Sequence, residues 1–158
     1  MSKLRILVAD PISDKGIEML KAESSFEVTV NLGLKKEDDF AAAAKDAHAI
    51  IVRSGVKVTA KVIEAASGLK CIGRAGVGVD NIDVPAASKR GVVVMNTPGG
   101  NTISTAEQAF TLMMSLARKT PQAHASIVAG KWDRKSFSGT EVYGKTLSVL
   151  GMGRIGAE

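Results

Sequence analysis

Thr146-Leu147-Ser148-Val149-Leu150-Gly151-Met152-Gly153-Arg154-Ile155-Gly156-Ala157-Glu158 is the stretch on which the reading of this chain turns. Five strand-type residues run straight into Gly-x-Gly-x-x-Gly. In such a turn the first glycine permits the sharp bend, and the second lets backbone approach a pyrophosphate. The third lets the following helix pack close to the strand. The start of that helix adds unpaired N–H groups and a partial positive charge. Thr146–Leu150 is therefore predicted to be a buried strand leading into a dinucleotide turn. The acidic residue that would hold a ribose falls about 20 residues further on, outside these 158 residues. The expectation is half a cofactor site, binding its cofactor poorly alone, with the choice between NAD and NADP left open.

Upstream, strand and helix signals alternate. Leu4 to Ala9 is an apolar run of the kind buried on both faces of a parallel sheet. Ser13 is placed to cap a helix bearing Ile17 and Leu20. Phe26, Val28 and Val30 alternate with polar residues, which suits a half-exposed strand near a sheet edge. Lys36 to Ala47 reads as an alanine-rich helix, Ala49 to Val52 as a strand, and Thr59 as the cap of the next helix. Leu69 to Gly73 is a fourth strand. Asp83 and Pro85 open a short helix that ends at Gly91, and Val92 to Met95 is a fifth strand. The succession predicts β-α units around a parallel sheet with helices on both faces.

Asn96-Thr97-Pro98-Gly99-Gly100 breaks the pattern, and a domain boundary is placed there, dividing 1–100 from 101–158. Ser104 and Glu107 form a possible capping box. Beyond them Ala106, Ala109, Phe110, Met113, Met114 and Ala117 recur at helical spacing over a wide arc, which predicts a helix buried between two partners. A second helix is expected from Pro121 to Ala129, ending at Gly130, and then an irregular segment to Gly144.

Composition narrows the classes of function. Hydrophobic residues make up 45% of the chain, enough for a core, and aromatic residues only 4%. The net charge of +5 comes from 21 basic and 16 acidic residues spread along the sequence. No basic stripe with interleaved aromatics points to nucleic acid, and a small anionic ligand fits better. The single cysteine, Cys71, excludes an internal disulfide framework and is assigned to packing. His48 and His124 have no partners at metal-ligand spacing, so no metal site is expected. No apolar run approaches a membrane span or a signal peptide, and the expected location is the cytoplasm.

Two segments resist explanation as packing: Ile51-Val52-Arg53-Ser54-Gly55 and Ile72-Gly73-Arg74-Ala75-Gly76-Val77-Gly78-Val79-Asp80-Asn81. Each places an arginine at the carboxyl end of a predicted strand, where ligands of open α/β sheets bind. A guanidinium meets carboxylate or phosphate with two hydrogen bonds. Gly76 and Gly78 are expected to leave amides uncovered as a nest for an anion. The plainer alternative is a tight glycine turn with solvated arginines.

Gly73 to Asn81, the turn Asn96-Thr97-Pro98-Gly99-Gly100-Asn101, and Gly144-Lys145-Thr146 leading into Gly151–Gly156 together resemble the D-isomer-specific 2-hydroxyacid dehydrogenases. Three motifs agree, in order, over the whole chain. The resemblance implies a flavodoxin-like α/β substrate domain, then the incomplete start of a Rossmann NAD-binding domain. It implies that Arg53, Ser54, Arg74 and the backbone of Gly76, Val77 and Gly78 hold the substrate's carboxylate and phosphate, with Asn101 at the hinge. Gly151, Gly153, Arg154, Ile155 and Gly156 would contact the NAD diphosphate. Val77 would also face the cofactor, at a position where relatives can carry threonine. The long helix and the arm after it imply a homodimer or homotetramer. The family's catalytic arginine, glutamate and histidine have no counterpart in this chain, and neither His48 nor His124 matches. No catalytic residue is therefore assigned, and no turnover is expected from these 158 residues alone. Two other readings stand beside this one: a different small 2-hydroxy acid as substrate, and a non-enzymatic anion-binding or oligomerising module.

Overall fold

Five short parallel strands carry the first hundred residues: β1 (Leu4–Val8), β2 (Phe26–Val30), β3 (Ala49–Val52), β4 (Cys71–Arg74) and β5 (Val93–Met95). Their order is β2-β1-β3-β4-β5, every neighbouring pair parallel. This is the flavodoxin-like order, in which the chain reverses direction between β1 and β3. The computed structural model describes residues 3–158. The chain divides into two compact units, Met1–Gly100 and Asn101–Glu158.

In the first unit each of the first four strands is followed by a helix that returns the chain for the next parallel strand. The helices are α1 (Asp14–Ala22), α2 (Glu37–Ala44), α3 (Ala60–Ala65) and α4 (Val84–Lys89). Two of the caps read from sequence are made. The Ser13 hydroxyl accepts from the Gly16 amide at 3.3 Å, and the Asp83 carboxylate accepts from the Ala86 amide at 2.9 Å. Thr59 takes the N-cap position of α3, but its hydroxyl donates to Glu37 instead of accepting from the helix. The α2 helix is shorter than the expected Lys36–Ala47, because Lys36 is its extended cap and its C-cap is Lys45.

The pleat divides the sheet's side chains between two faces. Leu7, Ala9, Ile50, Val52 and Ile72 join Phe40, Ala41 and Ala44 of α2, Val62 and Ile63 of α3 and Ala87 of α4 in one core. Ile51, Cys71, Val93 and Met95 alternate to the opposite face, where Val93 is 57% and Met95 50% exposed. Helix cover is thus unequal. The α1 helix buries none of its residues, whereas α2, α3 and α4 each contribute to the core. Partial burial pushes the Cys71 thiol above the usual range, which suits a packing role and disfavours a reactive thiolate.

The second unit holds α5 (Thr102–Arg118), α6 (Thr120–Val128) and the single turn α7 (Arg154–Ala157). Lys119 joins α5 to α6 in the left-handed conformation, φ 53°. Gly139 lies against the end of α5. A Cβ there would come within 2.5 Å of the Ala117 carbonyl oxygen, to which the neighbouring Thr140 amide donates at 2.7 Å.

Three expectations are corrected in this unit. Thr146–Leu150 is not a strand but an exposed irregular segment, with Leu150 fully exposed. A strand needs a neighbour for its N–H and C=O groups, and none pairs with it among the described residues. Ser104 and Glu107 form no capping box. The α5 helix begins at Thr102 with Asn101 as its cap, so Ser104 lies inside the first turn and donates to the Asn101 carbonyl at 3.1 Å. The α5 helix buries no residue: Phe110 is 58%, Leu112 59% and Leu116 80% exposed.

Phe40 is the largest fully buried side chain, 1% exposed between α2 and the sheet. Phe40→Ala is expected to cost about 3–5 kcal/mol of stability, the range for truncating a core phenylalanine, read as a lower midpoint in urea denaturation at unchanged slope.

Candidate anion site and dinucleotide turn

Two loops leave the carboxyl ends of adjacent strands. Val52 and Arg74 are register partners in β3 and β4. The loop Arg53-Ser54-Gly55 therefore emerges beside the loop Ala75–Asn81. Asp10 leaves β1 on the other side of β3, at the point where the strand order reverses. This is the rim where ligands of such sheets bind.

The rim is built from buried polar side chains. Asp10 is 4% exposed, and its carboxylate accepts from the Arg53 amide at 2.7 Å and the Gly55 amide at 3.1 Å. Two charge-assisted bonds shape the β3 loop around Asp10. Gly55 is needed for that approach, since a Cβ there would collide with the carboxylate. Asn81 is 9% exposed. Its Oδ1 accepts from Arg74 Nε at 2.6 Å, while its Nδ2 donates to the carbonyls of Arg53 and Val56, both at 2.7 Å. One amide thus ties both arginine-bearing loops together.

The two arginines differ. The Arg74 side chain is only 10% exposed and lies over the glycine turn, so that a Cβ on Gly76 would stand 2.6 Å from Nη1. Asp80 approaches Nη2 at 3.9 Å, but its side chain is 84% exposed, and such a pair contributes little in water. Arg53 is held by its backbone on both sides, and its side chain is exposed. Ser54, Val77 and Gly78 are exposed at the same rim.

The expected amide nest is smaller than the sequence suggests. The Gly76 amide is already bonded to the Arg74 carbonyl at 2.9 Å, a tight turn that bends the loop back over its own arginine. The amides of Arg53 and Gly55 belong to Asp10. Among the described residues the Val77 and Gly78 amides take no bond within the chain. Asn96 and Thr97 steady the turn, the Asn96 side chain donating to the Val77 carbonyl at 2.6 Å and the Thr97 amide to the Gly76 carbonyl at 2.9 Å. Arg53, Ser54, Arg74, Gly76, Val77 and Gly78 are thereby brought to one rim. Asp10, Asn81 and Asn96, which organise it, carry no sequence signal that singles them out as site residues. A lone Asp before a proline, or a lone Asn after a glycine turn, has the composition of an ordinary turn former. Asn101, in the second unit, is exposed at the start of α5.

His48 is at the other end of the sheet. It precedes β3, and its Nδ1 accepts from the Arg5 amide at 3.0 Å, at the start of β1. His124 is exposed on α6. Among the described residues no group of three or more His, Cys, Asp or Glu stands together as a metal would need.

The glycine turn of the second unit has the geometry its pattern demands. Gly151 is at φ 103°, open only to glycine. Gly153 has no atom within 4 Å of a would-be Cβ, so its surface is bare for a ligand's approach. A Cβ on Gly156 would collide with the Gly151 carbonyl oxygen, the close contact that lets the helix start against the turn. Arg154 and Ile155 form the first turn of α7. The glycine geometry of a dinucleotide turn is thus kept although the strand before it is not formed.

Residues 6–148 match the D-isomer specific 2-hydroxyacid dehydrogenase family, catalytic domain. The chain belongs to this family. It is similar to the D-3-phosphoglycerate dehydrogenase of Archaeoglobus fulgidus, 54% identical over 155 residues, which are 98% of this chain and 29% of that protein. The chain thus spans under a third of that relative's length. Among solved structures, a protein of Thermus thermophilus superposes with a TM-score of 0.89 at 33% identity, covering 98% of this chain and 50% of that one. The NAD+-bound 3-phosphoglycerate dehydrogenase of Entamoeba histolytica gives 0.77 at 34% identity, covering 99% and 49%.

Asp10→Ala is expected to cost about 2–4 kcal/mol, because two amides of the β3 loop lose a charged acceptor. Asp10→Asn keeps one acceptor oxygen and is expected to cost less. Urea denaturation of the three proteins gives the order.

Proposed function

We propose that this chain supplies the substrate-recognition part of an NAD-dependent D-3-phosphoglycerate dehydrogenase, an enzyme that would open serine biosynthesis in the cytoplasm. The observation that carries the reading is the pair of arginine loops at one sheet rim, tied by Asn81 and bordered by the bare Val77 and Gly78 amides. A hydroxy acid with one carboxylate needs one guanidinium. A substrate that also bears a phosphate uses two, and 3-phosphoglycerate is such a substrate. The likeness to the Archaeoglobus relative supports the same choice.

In this reading Arg74 and the Val77 and Gly78 amides grip one anionic group and Arg53 with Ser54 the other, fixing the hydroxyl-bearing carbon between them. Binding at both ends is what holds a reacting carbon in line for transfer. NAD, when bound, would supply the hydride acceptor, with Gly151, Gly153, Arg154, Ile155 and Gly156 holding its diphosphate. The hydroxyl proton would need a base; at this rim the Asp10 carboxylate is spent on two amides and Asp80 faces Arg74, and His48 lies at the opposite end of the sheet. The 158-residue chain is therefore expected to bind substrate without turning it over.

Isothermal titration of the chain with 3-phosphoglycerate, glycerate and D-lactate tests this. Phosphoglycerate is expected to bind at least about tenfold more tightly than the other two, the effect of one charge-assisted contact. Equal affinities would refute the substrate assignment. Gly76→Ala, whose Cβ would displace the Arg74 guanidinium, is expected to weaken phosphoglycerate binding by a similar factor while leaving the melting temperature within a few degrees.

A second observation concerns assembly. Phe110, Leu112 and Leu116 of α5, Ile127 and Val128 of α6 and Trp132 are all more than half exposed. Apolar side chains exposed in this way favour self-association, which supports the reading of a homodimer or homotetramer formed through this unit. Light scattering after size exclusion is expected to give a dimer or larger at micromolar concentration, and Leu116→Glu to shift it toward monomer. A monomer at every concentration would overturn this reading.

A further inference from the structure

Within the proposed anion site, the hydrogen bonds of Asn81 separate two ways in which an arginine can meet an anion. A guanidinium binds side-on, through Nε and one Nη, or end-on, through both Nη nitrogens. Arg74 Nε is committed to Asn81 Oδ1 at 2.6 Å. Its Nη1 lies over Gly76 and its Nη2 faces outward to an exposed Asp80. Asn81 cannot swing to follow the arginine, because its side-chain nitrogen Nδ2 donates to the Arg53 and Val56 carbonyls and the residue is 9% exposed.

We propose that Asn81 is a positioning residue for anion recognition: it fixes Arg74 end-on and locks that arginine to the backbone of Arg53 before any ligand arrives. This rests on the rim being the substrate's anion site. An arginine held in its binding pose loses less side-chain freedom when the ligand comes, which raises affinity without a new contact. The same bonds hold the two guanidinium-bearing loops at one spacing, so the rim selects for the distance between two anionic groups as well as for their charge.

A purely structural asparagine would tie the loops and leave Arg74 free to rotate, so the decisive readout is on Arg74 itself. The Arg74 Nε–H resonance in 15N NMR is assigned by its loss in Arg74→Lys. In the ligand-free chain it is expected to exchange with solvent at least about tenfold more slowly than that of an exposed arginine such as Arg134, as a buried bonded N–H does. In Asn81→Ser this protection is expected to vanish and phosphoglycerate affinity to fall about tenfold, with a cooperative melting transition retained. Fast exchange in the unsubstituted chain overturns the proposal, and so does unchanged affinity in a folded Asn81→Ser. Should that variant not fold, the exchange rate in the unsubstituted chain decides alone. Absence of phosphoglycerate binding by the unsubstituted chain would instead remove the substrate reading beneath the proposal, a failure seen without any variant.

Discussion

A buried carboxamide that must satisfy three partners constrains the first unit more than any other single group. Asn81 reaches from the loop after β4 to the backbone of the loop after β3, and on the same amide it carries the Nε of Arg74. Removing it would leave two carbonyls and a guanidinium nitrogen short of partners in a low-dielectric setting, where unpaired polar groups are most costly. Asp10 does the complementary work from β1, its carboxylate gathering two amides of the β3 loop. The rim is thus pre-formed from loops of three strands, with Arg74 held by Asn81 and the Arg53 side chain exposed.

The parallel sheet makes this arrangement possible. Parallel strands all end on the same side, so loops distant in sequence meet at one edge. The strands are legible from residue type: β3 is Ala49–Val52 as read, and β2 is the half-exposed edge that its alternation implies. The caps at Ser13 and Asp83 are legible because they are local, three residues from the amides they bind. Arg53 and Arg74 are legible because each stands at the carboxyl end of a strand.

Asp10 and Asn81 are not legible, and the reason is range. Their bonds cross 43 and 28 residues of sequence, and a lone Asp or Asn in a turn looks the same whether it serves its own loop or a distant one. The Gly76 amide is misread for a related reason: the tight turn that consumes it depends on backbone angles the residue names do not fix. Thr146–Leu150 fails differently. Its composition is that of a strand, but strandedness belongs to a pair, and the glycine turn after it keeps its shape without that pair because its contact, Gly156 on Gly151, is internal. Helix α5 shows the same limit, its apolar arc correct in sequence and uncovered in the folded chain.

The claim beneath the functional reading is that two guanidinium groups at one rim grip the two ends of one small metabolite that bears two anionic groups. A crystal structure of the chain soaked with 3-phosphoglycerate tests it most directly. The account requires density for the ligand between Arg53 and Arg74, one anionic group end-on against the Arg74 Nη nitrogens and near the Val77 and Gly78 amides, with Arg74 Nε still on Asn81. Ligand density elsewhere on the chain, or an empty rim with Arg53 and Arg74 turned apart, would contradict it.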